Sequence, residues 1–126
     1  MNFPKLIKSV QQKVVKTKNI TLKLGDVINV YLVIQERKKK RFQCYQGNLI
    51  AYHRFARNST ITIRRIYQGV SVERVFFFHS SIIQCVETFR NTKSRRAKLY
   101  YFRKIKGKAI RLREIFLKVL NIRRYV

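Results

Sequence analysis

The sequence predicts a mainly β protein: one antiparallel sheet curled into a small barrel, with a helix before it and a basic, partly helical segment after it. Three observations carry that expectation. Apolar and polar residues alternate from Val27 to Gln35, and strand-like runs recur four more times before Phe89. Short polar or Gly-containing turns separate the runs. Helical spacing of apolar residues is confined to the two ends, at Leu6, Ile7, Val10 and Val14 and at Leu112, Ile115, Phe116 and Val119.

Pro4 suits a helix start, so residues 5–17 read as a helix. Gly25-Asp26 then marks a turn. Ile28, Val30, Leu32 and Ile34 alternate with Asn29, Tyr31, Val33 and Gln35, which puts two sets of side chains on opposite faces of a strand. "ERKKKR" (36–41) follows as a charged loop, and Phe42–Tyr52 resumes as a strand with Gly47 as its expected bulge. "RFARNS" (54–59) is a second polar loop. Thr60–Tyr67 is β-branched and strand-like, and Gln68-Gly69 turns the chain. Val70–Phe78 and Ile82–Phe89 complete the set, parted by His79-Ser80-Ser81. The pattern then lapses until a helix expected over residues 110–122. The organisation is a lead-in at 1–24, a barrel at 25–91 and a basic segment at 92–126.

Net charge is +25, from 30 Lys and Arg against 5 Asp and Glu in 126 residues. Self-repulsion at that excess opposes a compact state until a polyanion offsets it. Nucleic acid, an anionic membrane and an acidic protein are the candidate partners. The cations run the whole length of the chain, which suits burial within a polyanion better than contact with one flat surface. No apolar run is long enough to span a bilayer, so a membrane is not expected as partner. Cys44 and Cys85 form no C-x-x-C and read as reduced core thiols, and no zinc site is expected. The basic N-terminus reads as an ordinary helix, not a targeting peptide. Phe, Tyr, Ile, Asn and Lys make up 52 residues while Ala and Gly make up eight, a bias toward AT-rich codons that points to an organellar gene.

Catalysis needs a constellation that this chain lacks. Asp26, Glu36, Glu73, Glu87 and Glu114 are scattered among cations, which lower carboxyl pKa values and make poor general acids. His53 and His79 read as structural, bonded to backbone or phosphate. No Gly-rich phosphate loop or nucleophile elbow is present, and no cofactor is expected. In "VSVERVFF" the adjacent Glu73 and Arg74 face opposite ways. Glu73 is the one expected to be held inside, by a cation or backbone N–H groups, while Arg74 reaches outward.

The basic segments are the candidate RNA contacts. Arg37, Lys38, Lys39, Lys40 and Arg41 form a cationic finger, and Arg54 and Arg57 lie in the next loop. Arg64 and Arg65 take opposite faces of one strand. The densest run supplies Lys93, Arg95, Arg96, Lys98, Arg103, Lys104, Lys106, Lys108, Arg111 and Arg113. Within it Phe102 should pack, and of Tyr100 and Tyr101 one should pack and one should face RNA, with Tyr100 taken as the RNA-facing ring. A general nucleic-acid architectural protein and a membrane-active cationic protein are the rival classes. The first would tolerate any duplex, and the second needs a long helix with a clean apolar face.

"GVSVERVFFFHSS" (69–81), "RRAKLYYFR" (95–103) and "GKAIRLRE" (107–114) resemble consecutive motifs of large-subunit ribosomal protein nineteen, the bacterial and organellar family. "RFQCYQGNLIAYHR" (41–54) and "STITIRRIYQG" (59–69) are similar to its central strands. Ser71 stands where the family pattern has glycine, and Ser81 where it closes on proline. The resemblance implies an SH3-like barrel with terminal helices. It implies a structural role in the large ribosomal subunit near the subunit interface. It further implies contacts with large-subunit rRNA, with small-subunit rRNA at an intersubunit bridge, and with ribosomal proteins fourteen and three. With the codon bias, a plastid ribosome comes first, a mitochondrial one second and a low-GC bacterium third.

Overall fold

A computed structural model of the chain describes residues 21–106 and 112–115. Five strands form one antiparallel sheet: β1 (Val27–Glu36), β2 (Lys39–His53), β3 (Thr60–Tyr67), β4 (Val70–Phe77) and β5 (Ile83–Arg90). Their spatial order is β4-β3-β2-β1-β5. Each strand therefore pairs with its sequence neighbour except β5, which returns to lie beside β1.

The alternation seen in the sequence decides which face is buried. Ile28, Val30 and Leu32 of β1 meet Tyr45 and Leu49 of β2, Ile61 and Ile63 of β3, and Ile83 and Val86 of β5 in one core. Phe78 and Leu22 complete it, and Phe76 of β4 packs against it. Both edge strands reach the same core, so the sheet is strongly curled, as right-handed strand twist favours. Among the described residues β4 and β5 are not paired with each other, and the sheet is open at that seam.

The expected 36–41 loop is instead a tight hairpin. β1 continues to Glu36, β2 begins at Lys39, and Arg37 turns the chain with φ 51°. The cations are all exposed, so extended pairing satisfies the backbone at no desolvation cost to the side chains. Gly47 is not a bulge. A Cβ there would lie 2.7 Å from the Arg64 carbonyl oxygen and from the Ile63 side chain, so the glycine permits close approach of β3. The register shift falls between Leu49 and Ala51, which leaves Ile50 as the extra residue.

That bulge has a structural consequence. Ile50 belongs to a second, smaller core with Leu99 and Phe102, flanked by Tyr101, Ile105 and Leu112. Its carbonyl accepts a 2.8 Å hydrogen bond from the Leu99 N–H. The basic C-terminal segment is thereby seated on the sheet, and a 3₁₀ turn at Tyr100–Arg103 follows the seat directly.

The helix expected over 110–122 is contradicted where it is described. Residues 112–115 are extended, with Lys93 N donating to Arg113 O at 3.0 Å and Ile115 N donating to Asn91 O at 2.8 Å. Backbone left unpaired beyond β5 is satisfied this way, and Leu112 packs toward Leu99 above Gly25. Gly25, at φ 93°, leaves no room there for a Cβ. The remainder of that helix, and the helix expected at 5–17, lie outside the described residues. The cysteines are not core thiols either. Cys44 is exposed and Cys85 half-buried, because both stand across from Tyr31 on the face opposite to the core.

Candidate nucleic-acid interface

The five acids are all engaged by the chain itself. Asp26, 1% exposed, accepts the Thr92 N–H at 2.8 Å. Glu36 pairs with Arg41 at 3.3 Å and Glu114 with Arg90 at 3.1 Å. Glu87 accepts the Tyr31 hydroxyl at 3.2 Å. Glu73 holds Arg64 and Arg103. The carboxylates thus work as internal fasteners, and the positive field of the remaining cations faces outward.

Glu73 is the best-built of these. Its Oε1 accepts from Arg64 Nη1 and from Arg103 Nε, both at 2.8 Å, and its Oε2 accepts from Arg103 Nη2 at 2.8 Å. The hydrogen bonds from Arg103 hold the Glu73 carboxyl below the usual carboxylate range, helped by those from Arg64 and opposed by partial burial. The same pairing raises the Arg103 guanidinium. A cation holds Glu73 twice over, as expected, but not inside the barrel: Glu73 stands across from Arg64 on the face opposite to the core, whereas Arg74 stands across from the core residue Ile63. Arg64, with its side chain 11% exposed, is turned onto this carboxylate rather than away from the protein. Arg103 ties the C-terminal segment to the β3–β4 hairpin.

Around this node, cations and aromatic rings interleave. Tyr100 is exposed, with Arg103 4.8 Å and Lys98 5.7 Å from its ring centre. Tyr101 is half-buried beneath Arg96, 4.9 Å away, and stands edge-on to Phe102. Phe102 is buried, as expected, which leaves Tyr100 as the exposed ring of the three. Arg65 lies over Tyr67 at 5.0 Å and near Tyr45 at 5.8 Å. Such stacking leaves guanidinium edges available for bidentate pairing with phosphate.

Lys93, Arg95, Lys104, Lys106 and Arg113 are exposed, and Lys108 and Arg111 lie outside the described residues. Lys93 and Arg96 share a cleft with Lys23 and Ser94. Arg37, Lys38, Lys39, Lys40 and Arg41 are exposed at the β1–β2 hairpin tip. Arg54 stacks over Tyr52 at 5.2 Å, and Arg57 is exposed in the 3₁₀ turn Ala56–Asn58.

Sequence reasoning overlooked several groups. Lys23 entered no binding set, although its cleft neighbours did. Arg90 pairs with Glu114 and stacks over Phe89 at 5.4 Å. Arg74 was assigned an outward role but no place among the candidate contacts. It is exposed at the rim of the core face, across from Ile63 and 5.5 Å from the Tyr45 ring centre. Both histidines pack on rings: His53 stacks with Phe55, and His79 stands edge-on to Phe78, its Nδ1 without a hydrogen-bond partner.

Comparison with known proteins follows the same line. The sequence model of the family described as "Ribosomal protein L19" matches residues 5–115. A relative from Mesostigma viride named "Large ribosomal subunit protein bL19c" is 44% identical over 119 residues, covering 94% of this chain and 100% of the relative. A second bL19c, from Prototheca wickerhamii, is 43% identical over 94% of this chain and 92% of its own length. A protein named "Large ribosomal subunit protein bL19" from Crocosphaera subtropica is 44% identical over 92% of this chain and 97% of its own length.

Proposed function

The chain belongs to the ribosomal protein L19 family, and from that premise we propose that it is a structural constituent of the large ribosomal subunit that binds and stabilises rRNA. One observation supports this most strongly. All five Asp and Glu side chains are engaged within the chain, so a net charge of +25 is presented to an external polyanion. Folded rRNA supplies that polyanion at the density the protein needs. The role is structural, not catalytic.

In this reading the curled sheet is the SH3-like barrel of the family. Its contacts divide by chemistry. The hairpin tip Arg37–Arg41 and the cleft of Lys23, Lys93 and Arg96 hold phosphates. Arg54, Arg57, Arg65, Arg95, Lys104, Lys106 and Arg113 extend that surface, and the sequence alone adds Lys108 and Arg111 to the candidate contacts. Lys98, Tyr100 and Arg103 form a mixed cation–aromatic patch. Arg64 acts through Glu73, by fixing Arg103. The location is near the subunit interface, with small-subunit rRNA at an intersubunit bridge and ribosomal proteins fourteen and three as neighbours. Plastid and cyanobacterial names both occur among the relatives, and the AT-rich residue usage favours a plastid ribosome.

The test is the salt dependence of binding to large-subunit rRNA transcripts. Six or more phosphate contacts weaken affinity on the order of a thousandfold between about 50 and 200 mM salt. A shallow slope would indicate a protein partner and defeat the rRNA reading. Equal affinity for any RNA or DNA duplex would favour the general architectural alternative.

A further inference from the structure

We infer that the turn between β2 and β3 is a base-stacking site, in which Phe55 takes an unpaired nucleobase while Arg54 and Arg57 hold the flanking phosphates. The inference rests on the rRNA-binding reading and deepens it. Phe55 is 62% exposed, an unfavourable place for a large apolar ring. It is not there through looseness. Its N–H donates to Ser59 Oγ at 3.1 Å, and that hydroxyl donates to the Ala56 carbonyl at 2.8 Å. Asn58 N–H closes the turn by donating to the Phe55 carbonyl at 2.8 Å. Ser59 is buried, so the lock is anchored in the fold.

The turn also carries backbone strain. Ala56 has φ 41°, a conformation that a residue with a Cβ rarely adopts. A braced, strained turn that displays an apolar ring is suited to a rigid apolar ligand. The Phe55 ring stacks with His53, with centroids 6.4 Å apart and planes 19° apart, so the platform already has a second aromatic layer. Cations flank it in the chain: Arg54, which lies over Tyr52, and the exposed Arg57 of the same turn. An exposed aromatic ring with a guanidinium on either side of it in the chain matches a nucleotide, with its π-face between two charged phosphates. A duplex hides those base faces, so the ligand is an unstacked base in a loop, bulge or single strand.

The chain contains no tryptophan, which makes the test direct. Phe55→Trp places a single indole on the platform, and stacking on a base quenches its emission. The full chain is titrated at about 100 mM salt with a twelve-residue single-stranded oligouridylate and with a twelve-base-pair RNA duplex. The expected result is strong quenching by the single strand and little by the duplex. Phe55→Leu, which keeps an apolar side chain but removes the π-face, should weaken single-strand binding about tenfold, equivalent to about 1.4 kcal/mol. It should leave duplex affinity and the salt slope unchanged, and Phe55→Tyr should restore binding. Wild-type single-strand affinity in Phe55→Leu, or an unquenched indole at saturation, overturns the stacking site while leaving the rRNA reading intact. A shallow salt slope for the wild type would defeat both.

Discussion

Glu73→Gln should uncouple the C-terminal segment from the sheet. The substitution keeps the shape but removes the charge that Arg64 and Arg103 share. The amide can still accept one hydrogen bond, yet its NH2 end faces a guanidinium donor in place of a carboxylate oxygen. A hydrogen bond to a charged group contributes about 1.5–3 kcal/mol when it is shielded from water. Shielding applies at the Arg64 end, where the Glu73 and Arg64 side chains are 22% and 11% exposed. Arg103 is half-exposed, so solvent screens its share and it adds little to stability. A loss of about 2 kcal/mol is expected, which lowers Tm by roughly 6–10 °C for a chain of this size. Thermal melts followed by circular dichroism at about 150 mM salt measure it. Arg74→Gln, an exposed change one residue away on the opposite face, is the control and should stay within about 0.5 kcal/mol. Because Glu73 titrates below the usual range when folded, its contribution is complete above the unfolded value near 4.5 and disappears as pH falls through the lower folded value. The wild-type advantage over Glu73→Gln should therefore vanish in acid. A Glu73→Gln melt within about 0.5 kcal/mol of wild type at neutral pH would refute the node.

Asp26 should behave with the opposite sign. Burial raises its carboxyl, so its charged form costs stability as pH rises from the unfolded value near 3.8, and Asp26→Asn, which keeps the acceptor for Thr92, should be neutral or slightly stabilising at pH 7. Asp26→Ala orphans that buried N–H and should cost about 1–3 kcal/mol in denaturant titrations. Gly47→Ala drives a methyl against the Arg64 carbonyl and should cost about 1–3 kcal/mol or more, read as a lower urea midpoint with unchanged slope. Replacing Lys38, Lys39 and Lys40 together by Gln should reduce the salt slope of rRNA binding by roughly two to three, without moving Tm by more than a few degrees, since all three are exposed.

The strands were legible because one face is buried and the other wet. Ile28, Val30 and Leu32 announce β1 by alternation, and the Gln68-Gly69 turn, with φ 49° and 78°, is where it was expected. The bulge was not legible at Ile50 because "NLIAY" is apolar on both parities, and Gly47 offered a more obvious but wrong signal. Apolar residues on both faces meant two cores, one for the sheet and one for the C-terminal segment. Leu112 and Ile115 stand three apart and mimic a helix face, yet over four residues tertiary pairing with Asn91 and Lys93 overrides that spacing. The cationic surface was legible as composition. Its internal fastening was only partly so, because pairings such as Arg103–Glu73 and Arg90–Glu114 span long sequence separations that charge patterning does not reveal.

The central claim is that this chain resides in the large ribosomal subunit, held by rRNA. Sucrose-gradient sedimentation of native particles, with the chain followed by immunoblot, tests it most directly. The account predicts that the chain co-migrates with the large subunit at low magnesium, where subunits separate, and is released only by concentrated salt. Migration with the small subunit, or at the top of the gradient at low salt, would contradict it.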